Sequence, residues 1–176
     1  GAGAGGSGGG VSGGTRTVRA GASVGGAGSV KVSGAEVTHA GTYTVTGSTS
    51  VSAGSGTLSA SLGAVSLTGG TLGGTNTVTG TMTWTGGTLN SLAKVTIANN
   101  AVLNISGAAD KTLFGVLTNA GTVTWTGTGN LIVNNNGGNP YNGSINNLDG
   151  GTFDVQNDQV MVIQRGPEFF SKRGPF

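Results

Sequence analysis

The text TMTWTGGTL, beginning at Thr81, returns as TVTWTGTGNL beginning at Thr122, an offset of 41 residues. Between the two, in the equivalent frame, stands NNAVLNISG at Asn99. Each unit is a short alternating run punctuated by glycine or asparagine. TYTVT (Thr42 to Thr46), TNTVT (Thr75 to Thr79), VTIA (Val95 to Ala98), LIVN (Leu131 to Asn134) and TFDV (Thr152 to Val155) have the same form. Period-two alternation marks a strand with one buried face. Met82 and Trp84, then Val123 and Trp125, are therefore expected inside, with the threonines on the opposite face. Taking the glycine or asparagine before each core strand as an anchor gives Gly41, Gly63, Gly80, Asn100, Gly121 and Gly151, at spacings of 22, 17, 20, 21 and 30. Periods near 20 residues with several short strands each are what a solenoid coil requires. A sandwich or up-and-down barrel shares the alternation, but does not explain near-identical text two coil lengths apart. The expected fold class is all-β: a parallel β-helix (β-solenoid) with coils of about 20 residues. The last, longer interval holds NNNGGNPYNG (Asn134 to Gly143), which reads as an outward insertion rather than a missing coil.

Composition agrees and removes several classes of function. Of 176 residues, 38 are glycine and only 14 are charged (8 basic, 6 acidic), with no cysteine and one histidine. Globular chains average about a quarter charged residues. Glycine and threonine are poor helix formers. Without cysteine there is no disulfide framework and no cysteine zinc site. A net charge of +2 is too small a footprint for nucleic acid, and the pI of 9.3 reflects how few groups titrate. No apolar stretch approaches the roughly 20 residues of a membrane-spanning helix. With no initiator methionine and no leader, the chain reads as a mature secreted protein or an excised fragment, extracellular or at the cell surface.

Three zones are expected. Residues 1–28 are rich in glycine, alanine and serine, and an ordered glycine tract must be held by a neighbouring subunit or by the solenoid itself. Residues 29–159 form the solenoid. Residues 160–176, with two prolines and the adjacent Phe169 and Phe170, read as a C-terminal cap or a contact segment. End coils with unpaired edges invite a further copy, so the expected partner is the chain itself. The candidate assembly contacts are Val11, Val18, Val24, Val30, Phe169 and Phe170.

NAGTVTWTGTGNL (Asn119 to Leu131) followed by INNLDGGTFDVQND (Ile145 to Asp158) resembles the glycine- and asparagine-rich repeats of bacterial surface and secreted proteins of the hemagglutinin-like and autotransporter-passenger-like kind. The resemblance extends over roughly 29–158. It implies a right-handed or mixed parallel β-helix acting as an adhesin, a stalk or an extracellular filament. An adhesin would meet a surface glycan, for which Tyr141 beside Asn136, Asn139 and Asn142 is the candidate site.

Catalysis has little to stand on. A glycosidase needs two placed carboxylates. Glu36, Asp110, Asp149, Asp154 and Asp158 do not recur from coil to coil and read as solvated turn charges. Lys94 and Lys111 flank a neighbouring coil, where a lyase would need a cation. His39 reads as structural rather than as a general base. Asparagines and aspartates at turns could ligate calcium, but the repeated aspartates of exported calcium-binding β-rolls are missing. Turn asparagines more commonly stack in ladders or adopt left-handed backbone. No catalytic residue, metal site or cofactor is therefore expected. The alternate-threonine runs starting at Thr42, Thr75, Thr81 and Thr122 offer a fourth possibility, a flat hydroxyl array that orders water as ice-binding solenoids do, though VLNI (Val102 to Ile105) interrupts it.

Overall fold

Every element of the computed structural model is a strand or a turn: it describes residues 9–135, 141–164 and 170–172, with no helix among them. The chain winds as a parallel β-solenoid with coils of about 20 residues. The first coil holds β1 (Gly9–Val11), β2 (Thr15–Val18) and β3 (Ser23–Gly26). The second holds β4 (Val30–His39), which turns a corner inside one strand, and β5 (Thr42–Val45). Then come β6 (Ser48–Thr57), β7 (Ala60–Leu67), β8 (Thr71–Gly73), β9 (Thr75–Trp84), β10 (Gly87–Leu89) and β11 (Lys94–Ile97). The next two coils are regular: β12 (Val102–Ile105), β13 (Lys111–Leu113) and β14 (Val116–Asn119), then β15 (Thr122–Trp125), β16 (Leu131–Asn134) and β17 (Ser144–Asn147). The last is β18 (Thr152–Val155), β19 (Met161–Gln164) and β20 (Phe170–Lys172).

These strands stack as three parallel ladders. The first runs from β1 through the starts of β4 and β6 and the ends of β7 and β9 to β12, β15 and β18. The second runs from β2 through the ends of β4 and β6, then β8, β10, β13 and β16, to β19. The third joins the starts of β7 and β9 to β11, β14, β17 and β20, while β3 and β5 pair as a separate two-stranded sheet.

Register accounts for the repeat in the text. Trp84 pairs with Ile105 and Ile105 with Trp125, so the two tryptophans stand two rungs apart in one inward file with a β-branched residue between them. All three are fully buried. Stacked backbones satisfy one another at the corners as well as along the strands: Ala98 N donates to Val78 O (2.9 Å), and Ala120 N to Ile97 O (2.8 Å). The long last interval is not a missing coil. Val123 pairs directly with Phe153, so the long interval adds no coil, and an antiparallel bridge from Asn135 to Asn142 closes its base.

Small residues mark the corner before the first ladder. A side chain at Gly80 would meet the Gly63 carbonyl, and one at Gly121 the Ala101 carbonyl. Gly41 does not belong to this series. It precedes β5 in the separate two-stranded sheet, and the position equivalent to Gly63 is Gly47, whose Cβ would meet Gly28 O. The anchor spacing of 22 mixes two corners for that reason. Gly74 is the tightest case: φ is 84°, and a Cβ would collide with the Leu58 carbonyl. Gly74→Ala is expected to cost about 2–4 kcal/mol in urea unfolding.

Turn asparagines take the two forms expected of them. Asn100 is the only non-glycine at positive φ (65°) among the described residues. Buried Asn119 donates through Nδ2 to Asn147 Oδ1 (2.7 Å) and Thr152 O (2.8 Å), and its Oδ1 accepts from Gly121 N (3.1 Å). Asn147 Nδ2 donates in turn to Gly151 O (2.8 Å), so a two-step ladder ties consecutive corners together.

Candidate functional site

The inward files run out to both ends of the winding, and there they leave apolar surface. At the N-terminal end they surround an open cavity of about 400 Å³. Four of the residues expected as assembly contacts, Val11, Val18, Val24 and Val30, all lie on its wall. They come together because each occupies a strand of the first coil or the start of the second, on the side that alternation turns inward. Strand pairing continues across position 28: β1 and β2 pair with β4, and β3 with β5, so the chain's own second coil holds the glycine-rich segment. Among the described residues nothing pairs with the other edge of β1 or β2.

Arg16, His39 and Tyr43 share that cavity, with Ser23 and Ser29 also in its lining. Arg16 stands in register with buried Val37, hence in an inward file, yet is exposed because no rung covers it. His39 is 5 % exposed, and among the described residues neither ring nitrogen has a partner outside its own residue; burial lowers its pKa, partly offset by a hydrogen bond to its own backbone. Its ring meets Tyr43 edge-on at 5.3 Å. Tyr43 OH bonds Thr49 Oγ1 at 2.7 Å, while burial raises the phenol's pKa, with that hydrogen bond opposing.

At the other end, β19 and β20 lie in register on β16 and β17 and so continue the second and third ladders. Phe170 packs edge-on against Phe153, with centroids 5.6 Å apart. Phe169 lies outside the described residues. Val155 and Ile163 are 45 % and 46 % exposed and close two inward files. Sequence reading passed over both, although the alternation in TFDV and in MVIQ carried the signal.

The glycan candidates divide. Tyr141 stacks on Phe114, with centroids 4.3 Å apart and planes at 26°, and Asn142 N donates to Phe114 O (3.0 Å). Asn136 and Asn139 lie outside the described residues. The threonine runs divide too. The run from Thr42 is in the two-stranded sheet and that from Thr75 on the third ladder, while those from Thr81 and Thr122 are on the first, where Asn104 separates Thr83 from Thr124.

One charge is not solvated. Lys111 is 0 % exposed, because alternation with Leu113 turns it inward, where its neighbour in file is side-chain-free Gly87. Its Nζ donates to Gly107 O (3.1 Å). Desolvation lowers its pKa, opposed by the nearby Asp110 carboxylate. Asp110 itself caps a corner, accepting from Asn130 N (2.8 Å). No group of three or more histidine, aspartate or glutamate side chains among the described residues is placed to hold a metal ion.

The structure defines a parallel β-solenoid as the class. No family model, curated protein or solved structure matches the chain.

Proposed function

We propose that the chain is a structural subunit or segment of an extracellular filament or cell-surface stalk, joined to further copies of itself through the solenoid ends. The observation that supports this most is the pair of ends. Among the described residues the outer edges of β1 and β2 are unpaired around an apolar cavity at one, and Val155 and Ile163 are about half exposed at the other. Apolar files that stop without a polar cover favour addition of another rung. The resemblance to hemagglutinin-like and autotransporter-like repeats supports the same setting. In this reading the chain is not an enzyme and needs no cofactor. Sedimentation velocity across a concentration series, with negative-stain imaging, tests it. Rods one solenoid wide that lengthen with concentration are expected. A single monomeric species at high concentration overturns it.

A second reading, an adhesin module, rests on the aromatic pair Phe114 and Tyr141 beside Asn142 on the outer surface. A glycan array decides it: retained glycan lost in Tyr141→Ala supports an adhesin, and no retention overturns it.

A further inference from the structure

We propose that copies stack head to tail in a single register, with β18 and β19 of one copy pairing with β1 and β2 of the next. This rests on the assembly reading above and specifies its interface. The files decide which residues meet. One inward file begins at Val11 with Val32 and ends at Trp125 with Val155. Another begins at Arg16 with Val37 and ends at Val133 with Ile163. The outward file between begins at Gly10 with Lys31 and ends at Thr124 with Asp154. Adding one more rung therefore sets Val155 on Val11, Ile163 on Arg16 and Asp154 on Gly10 of the second copy.

Two observations select this occupant and this register. The first is parity. A slip of one residue would turn Val155 and Ile163 to water and Asp154 into the core. The second is charge. The two coils at the N-terminal end carry Arg16, Arg19 and Lys31 against Glu36, a net +2, while Asp149, Asp154 and Asp158 lie in or beside β18 at the other; the sequence that follows adds Arg165, Glu168, Lys172 and Arg173, leaving that end at a net −1. In the proposed register Asp154 lies two rungs, about 10 Å, from Lys31 of the next copy, close to one Debye length in physiological salt. The attraction is thus salt-sensitive and opposes head-to-head contact. Arg16 is the unfavourable element: it loses water over Ile163, which weakens the join and keeps it reversible.

The chain has no cysteine, so introduced thiols report cleanly. A Cβ at Gly10 meets nothing within 4 Å, so Gly10→Cys fits. Gly10→Cys chains are mixed with Asp154→Cys chains, or with Thr152→Cys chains, and oxidised, while sedimentation of the same mixtures reports assembly. Neighbours in a file lie about 4.8 Å apart, within disulfide reach, whereas the Thr152 pairing lies about 8 Å away. Roughly tenfold more covalent dimer is expected with Asp154→Cys than with Thr152→Cys. Assembly with equal yields, with Thr152→Cys dominant, or with no cross-link overturns the register and leaves the assembly reading standing. No assembly in either mixture or in the unsubstituted chain overturns both.

Discussion

Replacing Trp125 by alanine is expected to remove about 3–5 kcal/mol of stability, read as a lower denaturation midpoint by circular dichroism. The size follows from its place in the winding. Trp125 is 1 % exposed and lies in file between Ile105 and Val155, each fixed by ladder hydrogen bonds. Neighbours so constrained cannot collapse into the space an alanine leaves, so the cavity persists. Trp125→Phe separates packing from polarity. The indole Nε1 finds no hydrogen-bond partner among the described residues, so phenylalanine forfeits volume and no bond. Its cost is expected to be less than half that of alanine. Equal losses for the two variants would show that the file relaxes freely, contrary to a rigid ladder.

Lys111→Met is expected to act in the opposite direction, raising stability at neutral pH by about 1–3 kcal/mol. Methionine fills the space beside Gly87 without a charge to desolvate, and the losses are the bond from Nζ to the Gly107 carbonyl and the attraction to the Asp110 carboxylate. The pH dependence carries the sign. Desolvation lowers the folded-state pKa of Lys111, so at high pH the unfolded chain binds the extra proton. The native protein bears the full cost of the buried cation below that lowered value. It sheds the cost as pH rises toward the ordinary lysine value of 10.5. The advantage of Lys111→Met should accordingly shrink through the alkaline range. An advantage that stays constant up to pH 10.5 would mean that Lys111 is solvated in the native state.

What the sequence disclosed, and what it hid, has one physical origin. Alternation can be read only where inward and outward residues differ in polarity. TMTWT and TVTWT show that contrast, and their separation marks two coils. The starts of β6 (STSVSAGSGT) and β7 (ASLGAVSL) do not, because serine, alanine and glycine serve on both sides. Gly56 even occupies an inward file, between Val37 and Leu72. The same lack of contrast set residues 9–28 apart from the solenoid, although they form its first coil. Asn76 and Lys111 mislead in another way: each is polar and each is inward. Their parity with Val78 and Leu113, two residues on, was the available signal. The cavity at the N-terminal end could not be read, since it depends on which rungs have no neighbour.

All the ladder pairings are parallel, and this sets what kind of association the rod can support. A head and a tail that differ cannot form a self-complementary twofold dimer through their edges. Contact between unlike ends is heterologous, and it builds an open filament unless the rotation between copies closes a ring. In an open filament joined in the proposed way no oligomer number would be preferred. Its lengths would form a distribution set by subunit concentration and by the strength of a single repeated joint.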